Sequence, residues 1–407
     1  MRILVTCFSD VSRRGENVSF ALQLASSLQQ RGHAVTVLSR SDAPNQRGID
    51  LIRGVPTIFH GDSSAGVLRR LAHMPVLSLH QNLVHVMRYQ VEEPDVLLTL
   101  CPFYVNAARC VWPRVRIIYL FAGFYQPDAG PTSIRRHHWL RFLHRHLLRR
   151  AQVLALRRSD QTLVPSPASV RPVLTACSRM EGRLDIAVPG VLDLKQHPVR
   201  RDILRARFHT PANATVLLAA RQPIDADNVT FLLKVLQNAK APNIMLWVAG
   251  SGPELEEVEF RAKKSGLLDR VRFLGAQAEM SEGCAAADVL VHAVRMEFSP
   301  QVYLQSMAYG LPVIGPADNY PRTVSPLPHL IQEGIHGFIY DLDSEISLRL
   351  VLEEIAGSPH MLRPMGLAAR ELAVSQHDWD AYIDTIQQYL LTGRQSAGPR
   401  TRKEGLR

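Results

Sequence analysis

The chain has 407 residues, enough for two domains of ordinary size that each bury a core, and 46% hydrophobic with 21% charged content argues against a disordered polypeptide. Cys7, Cys101, Cys110, Cys177 and Cys284 stand without CxxC spacing, so neither a zinc site nor a disulfide framework is indicated, which fits a reducing cytoplasm. The formal net charge of +10 calls for an anionic partner or surface.

The N-terminal apolar run is only a few residues long and reads as a first buried strand, Ile3 to Thr6, rather than a signal peptide. A polar loop, SDVSRRGEN from Ser9 to Asn17, follows and carries Arg13, Arg14 and a single Gly15. Val18, Ala21, Leu22, Ala25 and Leu28 then give one apolar face, which predicts a helix from Asn17 to Arg31 that Gly32 stops. Further strands are expected at Ala34 to Leu38, Val96 to Leu100, Val115 to Leu120 and Gln161 to Val164. Strands alternating with helices imply a parallel sheet covered on both faces. No segment approaches the roughly 18 uninterrupted apolar residues of a membrane span.

Between Arg135 and Arg158 the chain reads RRHHWLRFLHRHLLRRAQVLALRR. Trp139, Leu143, Leu147, Val153 and Leu154 follow roughly helical spacing among arginines and four histidines. A basic amphipathic helix of this kind fits an anionic membrane surface, where each charge gains about 1 kcal/mol. The alternative is that the apolar stripe packs on the first domain and the arginines are merely solvated. The histidines lack a partnering carboxylate and read as interfacial rather than as metal ligands. No nucleic-acid-binding module accompanies the charge, so nucleic acid is not the expected partner.

The second half begins with a strand from Thr215 to Arg221 and continues with strands Ile244 to Ala249, Val271 to Leu274, Val289 to His292 and Val313 to Gly315. VAGSGPELEE, from Val248 to Glu257, places Gly250 and Gly252 in a turn where backbone can approach a ligand closely, with Pro253 suited to a first helical position. The most informative stretch is MEFSPQVYLQSMAYGLPVIG, from Met296 to Gly315. Tyr303, Leu304, Met307 and Ala308 predict a helix from Gln301 to Tyr309, with Ser299 and Pro300 at its N-cap and first turn. A helix start is an anion seat, and Glu297 beside it can accept hydrogen bonds from hydroxyls. Phosphate and polyol together describe a nucleotide sugar; the plainer alternative is a helix that only packs.

That stretch resembles the signature of retaining glycosyltransferases of the family 4 type, the glycosyl transferases group 1. In the signature two glutamates with seven residues between them flank a Phe/Gly/Pro loop, followed by Ala-Met-Ala-x-Gly-x-Pro-Val. Glu297 falls on the first glutamate and Gln305 on the second, and Ser306 to Val313 matches the remainder. RGHAVTVLS, Arg31 to Ser39, is similar to the end of the family's first βαβ unit, and DIAVPGVLDL, Asp185 to Leu194, to its interdomain passage.

The resemblance implies an α/β GT-B fold, two doubly wound Rossmann-like domains facing across a cleft. The expected domains are 1–193 on the acceptor side, including the membrane-surface helix 135–158, and 194–376 on the donor side. Segment 377–391 is expected to be a helix crossing back to the first domain, and 392–407 a basic disordered tail. The implied function is transfer of a sugar from a nucleotide-sugar donor to an acceptor hydroxyl with retention of configuration. Glycan, glycolipid or cell-envelope polysaccharide synthesis is the setting, with a glycan or lipid-linked acceptor. Neither metal nor other cofactor is expected, and the place is the cytoplasm, at the inner face of a membrane where the basic helix engages it.

Arg221 and Glu297 are the implied catalytic residues. Gly15, Arg14, Gly250, Gly252, Gly275, Phe298, Ser299, Pro300 and Gln305 are the implied donor-binding ones. Two departures stand out. The lysine that clamps the diphosphate beside the family's arginine is missing, with Asp225, Ala226 or Asp227 in its neighbourhood, and Gln305 replaces the ribose-holding glutamate. Arg13 or Arg14 either takes the lysine's place or is a solvated surface arginine. The departures also leave open an alternative, a catalytically weak donor-binding scaffold that partners an active transferase.

Overall fold

The computed structural model describes residues 1–7, 16–41, 48–60, 75–124, 138–191, 201–220, 226–250, 254–275 and 280–392. The chain divides into two compact units, one of Met1–Pro165, Val170–Ala187 and Ile383–Arg407, the other of Ser166–Ser169 and Val188–Tyr382. The second unit thus begins at Val188 rather than 194, and it takes in a four-residue segment from within the first. The helix Trp379–Thr392 ends one residue beyond the expected segment.

The first unit holds β1 (Arg2–Cys7), β2 (Ala34–Arg40), β3 (Gly48–Ile52), β4 (Val55–His60), β5 (Val96–Thr99), β6 (Arg116–Leu120), β7 (Gln161–Val164) and β8 (Leu184–Ile186). They form one sheet in the order β3-β4-β2-β1-β5-β6-β7-β8. Only the β3–β4 pair is antiparallel; the other neighbours run parallel. Arg53 and Gly54 both have positive φ, 51° and 81°, the requirement of a two-residue primed turn between the two strands. Helix Glu16–Gln30 buries Ala21, Leu22, Ala25 and Leu28, the face its spacing predicts.

The basic helix runs His138–Arg158, and the start expected at 135 lies outside the described residues. Its C-terminal half packs within the first unit through Gln152, Ala155 and Leu156. Asn106 Nδ2, on helix Pro102–Val111, donates to the Ala151 carbonyl at 2.9 Å, and the Arg109 guanidinium donates to the Arg158 carbonyl at 2.8 and 3.1 Å. Leu154, expected on the apolar stripe, is instead exposed, while Arg149 lies over the Phe124 ring at 4.0 Å.

The second unit holds β9 (Thr215–Ala220), β10 (Ile244–Ala249), β11 (Val271–Gly275), β12 (Val289–Val291), β13 (Val313–Pro316) and β14 (Gly337–Tyr340), in the order β11-β10-β9-β12-β13-β14. Every pair is parallel. β10 is buried at every position and β9 at all but one, as expected of strands covered on both faces. One core gathers Val229, Leu233, Leu348 and Leu352 from helices Ala226–Asn238 and Glu345–Gly357. The other gathers Tyr303, Leu304, Met307 and Ala373 from helices Gln301–Ala308 and Leu362–Gln376. The strand order reverses direction between β9 and β12, and a ligand of a doubly wound sheet sits outside the carboxyl ends at such a point.

Candidate active site at the carboxyl edge of the second sheet

The helix expected after Glu297 runs Gln301–Ala308, one residue shorter than its apolar spacing predicts. Pro300 precedes it rather than occupying the first turn, and the Ser299 hydroxyl accepts from the Gln301 N–H at 3.3 Å. Its far end closes through Gly310 at φ 82°, with Gly310 N–H donating to Met307 O at 2.8 Å and Leu311 N–H to Ser306 O at 3.1 Å. That double bond pattern needs a left-handed residue at this position, which explains the glycine. Arg370, from helix Leu362–Gln376, donates to the Ala308 carbonyl and satisfies another helix-end acceptor.

Glu297 is 21% exposed and both of its carboxylate oxygens are engaged. Oε1 accepts from the Ser299 N–H at 3.3 Å, and Oε2 lies 3.2 Å from His292 Nε2. Its backbone N–H donates to the Val324 carbonyl at 2.9 Å, which ties the loop to a neighbouring segment. His292 is buried directly after β12, with its ring edge-on to Tyr303 at 5.2 Å. Its carbonyl accepts from the Tyr340 hydroxyl at 3.0 Å. Burial pushes the Tyr340 phenol up, so the hydroxyl keeps its proton and the donor role is fixed. With Glu297 ionised, the imidazole must carry its hydrogen on Nε2, because a carboxylate only accepts. A carboxylate accepts several hydrogen bonds at once, the chemistry that recognises a polyol.

Gly250 (φ 144°) and Gly275 (φ 74°) stand at the carboxyl ends of the neighbouring strands β10 and β11. A shallow open crevice lies at the carboxyl ends of β9, β10 and β12, lined among others by Ala220, Asn228, Val229, Ala249 and His292. Phe298 is buried, Ser299 and Gln305 are half-buried, and all three fall on the Glu297 loop or its helix. Arg221, Gly252, Gly15 and Arg14 lie outside the described residues, as do Pro253 and Arg13. Arg221 directly follows Ala220, the last residue of β9.

The carboxylates near the missing lysine are placed differently from one another. Glu254 Oε2 accepts from the Ala226 N–H at 2.9 Å and so already occupies the start of helix Ala226–Asn238. The Asp227 side chain is 96% exposed, with Arg261 4.0 Å away, and therefore points into solvent. Cys284 is buried with its thiol pushed up to about 12 by that burial, opposed in part by the Ser306 hydroxyl, so it is no nucleophile. Among the described residues no group of three or more His, Cys, Asp or Glu side chains is placed to hold a metal ion.

His292 was not among the residues the sequence singled out. Its signal was a lone polar residue ending an apolar strand five positions before Glu297. Ser166 and Ser169, whose hydroxyls reach the Phe298 carbonyl at 2.8 and 3.1 Å, had no local signal.

Residues 213–350 match the family of glycosyl transferases group 1. Among curated proteins, the chain is 26% identical over 186 residues to the lipopolysaccharide core biosynthesis glycosyltransferase LpsE of Rhizobium meliloti, covering 46% of this chain and 52% of that one. It is 25% identical over 248 residues to a GDP-mannose-dependent alpha-mannosyltransferase of Mycobacterium tuberculosis, covering 56% and 57%. The chain thus spans about half the length of the curated relatives it matches. Among solved structures, Anabaena Alr3699/HepE in complex with UDP and glucose is similar at a TM-score of 0.73 and 17% identity, covering 96% of this chain and 99% of that one. Sucrose-phosphate synthase from Thermosynechococcus elongatus is similar at 0.76 and 18%, covering 96% and 98%. At such identities the likeness is one of fold. The chain has the GT-B fold, and the residues that match the glycosyl transferases group 1 model lie within its second unit.

Proposed function

We propose that this GT-B chain is a glycosyltransferase that moves a sugar from a nucleotide-sugar donor to an acceptor hydroxyl with retention of configuration, in glycan, glycolipid or envelope polysaccharide synthesis. The observation that carries the reading is the Glu297 carboxylate, held by Ser299 N–H and His292 beside the start of a helix in the group 1 domain. The LpsE relative, named for lipopolysaccharide core synthesis, supports the setting, and the HepE complex with UDP and glucose supports the donor class.

In this reading Glu297 accepts hydrogen bonds from donor hydroxyls and so fixes the reacting sugar. Helix Gln301–Ala308 offers N–H groups to the diphosphate. Arg221 supplies a full positive charge where charge grows on the leaving β-phosphate oxygen. Gly250 and Gly275 give the nucleotide close backbone access, and Gln305 accepts from the ribose with its amide oxygen. No resident metal takes part, so activity persists in chelator. The Asp227 side chain is 96% exposed, and in this reading solvent screens it so that it does not oppose the diphosphate.

The second reading, a donor-binding scaffold with little turnover, is favoured by Glu254 at the start of helix Ala226–Asn238, where a carboxylate rather than a phosphate meets the helix dipole. Thermal shift against UDP-, GDP-, ADP- and dTDP-sugars, followed by product analysis with the stabilising donor, tests both. A donor that stabilises and is consumed supports the transferase; one that stabilises without turnover supports the scaffold. No stabilisation by any donor contradicts both. The reading also places the protein in the cytoplasm on the inner face of a membrane, through the exposed Arg149, Arg150 and Arg157 of helix His138–Arg158.

A further inference from the structure

Ser166 and Ser169 lie on one short turn after β7, in which the Ser169 N–H donates to the Ser166 carbonyl at 3.1 Å. Pro165 and Pro167 flank Ser166 and restrict the backbone there. Both serines are buried, at 2% and 0% exposure, and both belong to the second unit. Their hydroxyls converge on one acceptor, the Phe298 carbonyl, at 2.8 Å from Ser166 and 3.1 Å from Ser169, and stand 3.0 Å from each other. Each hydroxyl has a single hydrogen to give. Either both donate to the carbonyl, or one donates to it while the other supports the first.

The Phe298 carbonyl and the Ser299 N–H are the two edges of one planar peptide group. One edge meets the serines; the other donates to Glu297 Oε1 at 3.3 Å. The orientation of that plane therefore decides whether Oε1 has its donor, while His292 holds Oε2 from the other side. We infer that Ser166 and Ser169 are positioning residues for Glu297, acting through the Phe298–Ser299 peptide plane. The inference rests on the donor-site reading of Glu297. Neither serine touches donor or acceptor in it; the pair fixes the direction of a carboxylate about 130 residues further along the chain.

The shared acceptor makes the two hydroxyls redundant. Either Ser166→Ala or Ser169→Ala leaves one donor on the carbonyl and lowers kcat no more than about threefold. Removing both takes both serine donors from the carbonyl, loosens the plane and lowers kcat at least about tenfold. Because the effect runs through Glu297, the double change should cost nothing further when made on Glu297→Ala. Nucleoside diphosphate affinity should stay within about twofold, since the serines bear on sugar placement rather than on the diphosphate. Ser166→Thr/Ser169→Thr keeps both hydroxyls and should restore turnover.

Two measurements test this. Hydrogen exchange, which needs no donor, should show the Ser299 amide losing protection in Ser166→Ala/Ser169→Ala while helix Glu345–Gly357 keeps its own. Turnover of UDP-glucose and GDP-mannose should show the redundancy and its absence on Glu297→Ala. If the double alanine variant does not fold, Ser166→Cys/Ser169→Cys, a near-isosteric weak-donor pair, should give the same pattern at smaller size. Unchanged Ser299 protection overturns the inference, and so does a double change that still lowers turnover on the Glu297→Ala background. A parent and Glu297→Ala with equal turnover would instead remove the donor-site reading, and the positioning role with it.

Discussion

His60 ends β4 with its ring 2% exposed inside the first unit. Its Nε2 lies 2.7 Å from the Tyr104 hydroxyl, which also stands 3.3 Å from the Cys7 carbonyl. The phenol has one proton to give, so it either donates to Cys7 and accepts from Nε2–H or donates to Nε2 itself. Burial, and then the charge of Arg40, push His60 down to about 4 from an ordinary 6.5. Between those values the unfolded chain binds a proton that the folded chain refuses, so stability is full above 6.5 and falls as pH drops toward 4. The largest slope from this one group is about 1.4 kcal/mol per pH unit. His60→Gln keeps both a donor and an acceptor for Tyr104 and removes the titration. Urea unfolding of parent and variant at pH 6.5 and 4.5 should show a shallower pH dependence in the variant; equal slopes would refute the buried neutral imidazole. At this scale the sequence pointed to Glu297 because its acidic side chain opens a loop before a strongly patterned helix. It did not point to His292, Ser166 or Ser169 as partners of that loop, since those contacts are made by tertiary folding and leave no spacing to read.

Helix Gln301–Ala308 is held from behind by Gly366 of helix Leu362–Gln376. A Cβ built at Gly366 would drive into the Gly310 carbonyl oxygen and stand 3.2 Å from Pro312 Cδ. Glycine inside a helix ordinarily costs about 1 kcal/mol relative to alanine, so on propensity alone Gly366→Ala should stabilise. The packing reverses the sign, because backbone sits where the methyl must go, and overpacking of this kind costs about 1–3 kcal/mol. Gly366→Ala should therefore lower the melting temperature by several degrees, on the order of 2–4 °C per kcal/mol. A variant as stable as the parent would show that helix Leu362–Gln376 does not approach the Gly310 turn this closely. Legibility varied in the same way among the elements. Apolar runs such as Thr215 to Ala220 and the Gly310-Leu311-Pro312 stop were plain in the sequence. The β3–β4 hairpin was not, because Ile49 and Leu51 of its edge strand are 74% and 67% exposed and show no buried alternation.

The chain as a whole carries a formal net charge of +10, and among the described residues no helix is long and apolar enough to cross a membrane. Positive charge is attracted to anionic surfaces over about a Debye length, so the proposed membrane contact has a direct test. Vesicles containing anionic phospholipid should retain the protein at low salt and release it as ionic strength rises, because screening shortens the range of the interaction. Replacing Arg149, Arg150 and Arg157 with glutamine should weaken retention while leaving the first unit folded; retention equal to the parent's would move the contact elsewhere. The central claim is that Glu297 holds a donor sugar for transfer, and comparing turnover of the donor by the parent and by Glu297→Ala tests it most directly. The account predicts at least about a hundredfold loss, roughly 2.7 kcal/mol of transition-state stabilisation, in a variant that still folds cooperatively. Equal turnover by two equally folded proteins would contradict it.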